Sequence, residues 1–476
     1  MDTTALKQAI EQRWQDSALP ELVQYIKVPN KSPLFDPDWA EHGYMDTVVD
    51  QFAAWCRREG PADMLLEVLR LPGRTPMLYI EIPATDASTG DDTVLLYGHL
   101  DKQPEMTGWR SGLGPWQPVL EGEKLYGRGG ADDGYATFAS LLAIRMLAEH
   151  GLPHARCVIL IEASEESGSP DLPAYIGHLS GRIGTPSLVI CLDSGCGNYD
   201  QLWCTTSLRG LVGGDLNVEV LNEGVHSGDA GGIVPSSFRI VRQLLDRLED
   251  AADGRIRVEA CHVDIPETRR QQAEQAAAVL GDSCYQRFPF SNGTQPDSTD
   301  PAELILNRSW RPALEVTGAA GIPPLADAGN VLRPRTILKL SLRLPPTCDT
   351  NAATTAIRET LEQDPPQQAR VRFSPEWCAG GWHAPLMPDW LDRAIDQSSR
   401  HFFGKPAVHM GEGGSIPFMG MLAERFPHAQ FLVTGVLGPQ SNAHGPNEFL
   451  HIPTAMKLTC CVAEILSTHY LEGRES

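Results

Sequence analysis

Three short apolar runs constrain this chain more than any other feature: 93–97 (TVLLY), 157–161 (CVILI) and 187–192 (SLVICL). A fourth, 431–436 (FLVTGV), lies near the C-terminus. Runs of this length, rich in β-branched residues and followed at once by polar ones, suit strands buried on both faces of a parallel sheet. An apolar-periodic helix at about 135–149 (YATFASLLAIRMLAE) lies between the first two. Strands alternating with helices predict an α/β domain, whose ligands sit beyond the carboxyl ends of the strands.

From about Leu208 the pattern changes. LVGGDLNVEV, RIRVEA (255–260) and TILKLSLRL alternate apolar and polar residues, as half-exposed strands do. Helices are expected at 236–248 and over DTNAATTAIRETLEQ, the latter capped by Asp349 or Thr350. The stretch 291–303 (SNGTQPDSTDPAE) reads as an exposed loop. After Trp377 the chain returns to the first domain, because FLVTGV and a long helical segment come last. The expected organisation is a catalytic α/β domain with a mostly parallel sheet (1–207 and 381–476), interrupted by an inserted α+β domain with an antiparallel sheet (208–380).

The charge balance removes some functions. With 39 Lys+Arg against 61 Asp+Glu the net charge is −22, and no basic run offers a phosphate surface, so nucleic acid is not an expected partner. No apolar stretch has the ~20 residues of a membrane span, and no secretory signal is visible at the start. The eleven cysteines are scattered with no C-x-x-C pair, which argues against a thiolate zinc site and for a reducing, cytoplasmic setting.

Acids and histidines cluster at the expected strand ends. TVLLYGHLD ends with His99 and Asp101, LYGRGGADDG supplies Asp132 and Asp133, and VILIEASEESGS supplies Glu165 and Glu166. LVICLDSG supplies Asp193 and SNAHGPNE supplies His444. Carboxylates gathered on one rim repel and resist burial unless cations join them. Mixed imidazole and carboxylate donors suit Zn²⁺ or Mn²⁺. In His-x-Asp, the acid can accept the second N–H of a metal-bound imidazole. Adjacent Glu165 and Glu166 cannot both enter one coordination shell from regular structure, so one is expected to bind metal and the other to act as general base. Asp132–Asp133 also suits a helix cap, which is compatible with metal binding. GRGGADDG lacks both glycine-rich phosphate signatures.

The motifs YGHLD, LYGRGGADDG, EESGS, CLDSG, HSG, GEGGSIP and AHGPNE, in that order from about Tyr97 to His444, resemble the carnosinase and cytosolic non-specific dipeptidase branch of the co-catalytic di-zinc metallopeptidases. Glutamate carboxypeptidase, amino-acylases and related deacylases belong to the same family. The resemblance implies a catalytic domain interrupted by a lid that also dimerises, and two divalent ions, Zn or possibly Mn, in each subunit. Asp132 would bridge the ions, His99 and Asp193 completing one site and Glu166 and His444 the other. Glu165 would be the general base and Asp101 the orienter of His99. The Asp132–Asp133 peptide bond would be cis. His226 would reach a partner subunit's active site to hold the oxyanion, and Arg343 would grip the substrate carboxylate. Asn330 would lie near the same place, with Gly414 and Ser415 binding substrate from the catalytic domain.

One departure stands out: relatives carry Lys-Gly where this chain has Gly134-Tyr135. An Asp at position 193 is typical of the family's dipeptidases and aminopeptidases, so the expected substrate is a small Xaa-Xaa peptide. An N-acyl amino-acid hydrolase or carboxypeptidase is the alternative, and a metal-binding protein without turnover is a rival that no motif favours.

Overall fold

The computed structural model describes residues 2–86 and 92–473. It divides into two compact units: residues up to Thr205 with Ala384–Met410 and from Met421 onward, and Thr206–His383 with Gly411–Gly420.

The first unit is built on a six-stranded sheet in the order Leu65–Leu69, Met77–Ile82, Arg156–Glu162, Thr93–His99, Pro186–Cys191 and Gln430–Val433. The last four strands run parallel, and the first two are antiparallel additions at one edge. Thr93–His99 is buried at every position, as a strand covered on both faces requires. Helix Tyr135–Glu149 packs against that strand and against helix Ile452–Glu472, and twelve of its fifteen residues are buried. Its near-uniform apolarity reflects an interior helix rather than an amphipathic one. Gly98 permits its approach: a Cβ there would lie 2.7 Å from the Ala136 Cβ and 2.8 Å from Asp133 Oδ2.

The run 431–436 forms a strand only over Gln430–Val433. The Thr434 amide still bonds to Cys191 O, but its hydroxyl donates to Trp203 O and turns the chain out of the sheet. Among the described residues no helix is long and apolar enough to cross a membrane.

The second unit has an antiparallel sheet in the order Ala313–Ala320, Arg335–Leu344, Gly210–Glu219 and Arg370–Ala379. Arg335–Leu344 alternates between buried and more exposed residues along its whole length, so one face packs and the other does not. Helices Ser237–Leu248 and Thr350–Glu362 supply Leu244 and Ile357 to that core. Ser236 caps the first helix, and Asp349 caps the second by accepting from the Asn351 and Ala352 amides. The expected strand at 255–260 is absent. Ile256 makes a single bridge to Glu249, and the chain then enters the 3-10 turn Glu259–Cys261. Burial of Ile256 and Val258 against the core produces the same alternation without an extended ladder.

Candidate metal centre and active site

The parallel strands of the first unit end at one rim. His99 closes its strand, Glu165 and Glu166 occupy the 3-10 turn Glu165–Ser167 just after Glu162, and Asp193 follows Cys191 by two residues. Asp132 sits in the turn Gly130–Gly134 before the buried helix, and the Asp132–Asp133 bond is cis. His444 comes from the loop between strand Gln430–Val433 and the short strand Phe449–His451.

These side chains form two groups that share Asp132: His99, Asp132 and Asp193, and Asp132, Glu166 and His444, each with donor atoms within 4.8 Å of one another. His99 Nε2 lies 3.5 Å from Asp132 Oδ1 and 3.8 Å from Asp193 Oδ2. His444 Nε2 lies 3.0 Å from Asp132 Oδ2 and 3.4 Å from Glu166 Oε2. His99 Nε2 and Glu166 Oε1 are buried without a hydrogen-bond partner among the described residues, and buried Asp132 Oδ2 faces His444 Nε2. Buried polar atoms are normally satisfied, so this arrangement fits a cation cradle. Glu165 belongs to neither group, yet its Oε2 is 3.9 Å from His99 Nε2.

Burial pushes Glu165 and Glu166 well above the usual carboxylate range, helped by the charge of Asp193 for the first and of Asp132 for the second. Burial likewise pushes Asp193 up to about 6. Asp132 moves the other way: burial opposes ionisation, but His444 and His99 hold it well below its ordinary value. Burial pulls His99 down, and the neighbouring Asp101, Asp132 and Asp193 outweigh it, so its pKa stands well above normal.

Asp101 does two things. Its carboxylate lies 3.4 Å from His99 Nδ1, and its two oxygens accept the Glu165 and Glu166 amides at 3.1 and 3.0 Å. Sequence reasoning found only the first contact. It also missed Gln103, whose amide donates to Glu166 Oε2 at 2.6 Å, and Glu162, a buried acid pushed up to about 7 by burial, which accepts from Tyr97, Ser164 and Ser169 beneath the same turn. Gln103 lies two residues beyond Asp101, just past the YGHLD motif, and its proximity in sequence was the available signal.

In the second unit the structure pairs the remaining candidates. His226 lies opposite Val331 in a short ladder, and Asn330 O accepts the Ser227 amide at 2.9 Å. His226 Nδ1 accepts the Gly228 amide at 3.1 Å, which leaves the proton on Nε2. Arg343 Nη1 donates to Ser415 Oγ at 3.0 Å, and Ser415 donates to Arg209 O. Gly414 and Ser415 group with this unit rather than with the catalytic one, because Arg209 holds their segment: its amide donates to Gly414 O at 3.1 Å and its Nε to Gly413 O at 3.1 Å. Burial, then the charges of Arg343 and Arg308, pulls Arg209 down to about 10. Burial also lowers Arg343.

A parallel-sheet unit with this carboxylate–imidazole rim suits a metal-dependent hydrolase. The family model described as Peptidase family M20/M25/M40 matches residues 95–468, and the chain belongs to that family. It is 27% identical over 405 residues to the cysteinylglycine-S-conjugate dipeptidase of Corynebacterium striatum, covering 82% of this chain and 83% of that protein. It is 25% identical over 387 residues to the Beta-Ala-His dipeptidase of Homo sapiens, covering 78% and 73%. The crystal structure of human carnosine dipeptidase 1 superposes with a TM-score of 0.77 at 20% identity, over 99% of each chain.

Proposed function

We propose that this protein is a dipeptidase that hydrolyses Xaa-Xaa peptides with two divalent cations, Zn²⁺ or Mn²⁺, in each subunit. The observation that carries it is the pair of three-residue clusters sharing Asp132. His99 and Asp193 hold one ion with Asp132, and Glu166 and His444 hold the other. Bound there, the ions supply Lewis acidity and acidify water toward neutral pH. Glu165 takes the proton of the attacking water and passes it to the leaving amine, a role suited to a carboxylate that lies beside the clusters but belongs to neither. Asp101 orients His99 and, through the two amides, sets the Glu165–Glu166 turn. The relatives named above are dipeptidases, which supports this substrate class.

The second unit acts as the lid and dimerisation domain. His226, protonated on Nε2, donates to the developing oxyanion in a partner's site. Arg343, steadied by Ser415, binds the substrate carboxylate with Gly414, and Asn330, which lies next to His226, enters the partner's site with it. Almost fully exposed Ile233 and Leu325 in that unit support a homodimer. The scattered spacing of the eleven cysteines is the basis for placing the protein in a reducing, cytoplasmic setting.

The direct test supplies Zn²⁺ or Mn²⁺ to chelated enzyme and assays free-amine dipeptides beside N-acetylated amino acids. Dipeptides are expected to turn over at least ~10-fold faster, the lower end of what a difference of one small group in a binding pocket produces. Preference for the N-acetyl compounds would replace the dipeptidase reading with an acylase one. A second experiment mixes His226→Ala with Glu165→Ala protein. Sites shared between subunits should recover up to about a quarter of wild-type activity, by random exchange of a symmetric pair; no recovery places each site within one chain.

A further inference from the structure

Arg128 is absent from the mechanism above, yet it bonds directly to the His444 loop and reaches the Asp132 turn and the Glu166 carboxylate through one intermediary each, Glu448 and the Gln103–Pro104 segment. Its side chain is 1% exposed and pairs with fully buried Glu448 at 2.5 Å. Glu448 Oε1 accepts the Gly129 amide at 2.8 Å. Arg128 Nη2 donates to Gly445 O at 2.8 Å and to His444 O at 3.2 Å, and its Nε donates to Pro104 O at 3.2 Å. Gly129 directly precedes the turn that carries Asp132, and Pro104 directly follows Gln103, whose amide holds Glu166.

The two halves of the centre are not supported equally. His99 and Asp193 stand at the ends of buried strands. His444 stands on a loop in which Gln440, Asn442, His444 and Asn447 all adopt positive φ, with His444 at 64°. Non-glycine residues persist there only when their surroundings determine the conformation. The His444 side chain is 57% exposed, so its own burial does not supply that support. A planar fork with several fixed donors can hold two adjacent carbonyls and a carboxylate at once, which an ammonium cannot.

We propose that Arg128 is the positioning residue of the Glu166–His444 site, tying the His444 loop to the Asp132 turn and to the segment that holds Glu166. The inference rests on the two-cation reading and assigns Arg128 to one ion only.

The test titrates chelated wild-type and Arg128→Met protein with Zn²⁺ alone, by calorimetry and by metal analysis after gel filtration. Wild type should take two ions. Arg128→Met should keep one at wild-type affinity and bind the second about 10- to 100-fold more weakly. Two ions at wild-type affinity, or equal weakening of both, overturns the proposal. Should Arg128→Met fail to fold, Arg128→Lys keeps the charge opposite Glu448 while losing the carbonyl bonds, and the same outcomes decide. Wild type binding a single ion overturns the two-cation reading itself, and this inference with it.

Discussion

Replacing Glu165 by alanine should lower kcat by about 100- to 10,000-fold while leaving the cation content unchanged, the range set by loss of a positioned general acid–base. The expectation follows from geometry. Glu166 is in one of the two donor clusters and Glu165 is in neither, although its Oε2 lies 3.9 Å from His99 Nε2. A carboxylate beside the cluster but outside it is free to exchange a proton. The turn should survive the substitution, because Asp101 holds it through backbone amides and not through the Glu165 side chain. Steady-state kinetics and metal analysis on the same preparation test this. Activity within ~10-fold of wild type would transfer the base role elsewhere, since general-base removal costs at least ~100-fold.

Asp132→Asn should have the larger effect, removing both cations and lowering turnover by more than ~10,000-fold, beyond the loss of the general base alone. Asp132 is the only member common to the two clusters. Burial opposes its ionisation, but His444 and His99 outweigh that and hold its pKa well below the ordinary value. Its neighbours Glu165, Glu166 and Asp193 are all raised by burial and mutual repulsion. A ligand at about 1,000 times its Kd stabilises the folded state by about 4 kcal/mol. Wild-type melting should therefore rise when Zn²⁺ is added to the chelated protein, and the Asp132→Asn melting curve should not move. A variant that still binds two ions would show that the remaining four side chains suffice, and the bridging role would be lost.

Much of this was legible before any coordinates. The buried parallel strands announced themselves as unbroken apolar runs, and the antiparallel strands as strict alternation, because burial on two faces or one leaves those two patterns. The metal-site candidates were legible because strand ends carry an α/β domain's chemistry. The misreading at 255–260 has the same root: alternation reports burial of Ile256 and Val258, not a ladder partner. Gln103, Arg128 and Glu448 went unassigned because their contacts join segments far apart in the chain, Arg128 to Glu448 across 320 residues. The placement of Gly414 and Ser415 depended on Arg209, more than 200 residues earlier.

Residue order by itself therefore determined the sheet type, the inserted second unit as an expectation, and the chemical character of the rim. Those properties depend on local periodicity and residue type, which a linear string carries. The tertiary structure alone decided that Asp132 belongs to both clusters, that Asp101 sets the Glu165–Glu166 turn as well as His99, and that Arg128 bonds to the loop carrying His444. Such facts rest on distances and hydrogen-bond directions between remote segments, and only the packed chain brings those atoms within reach.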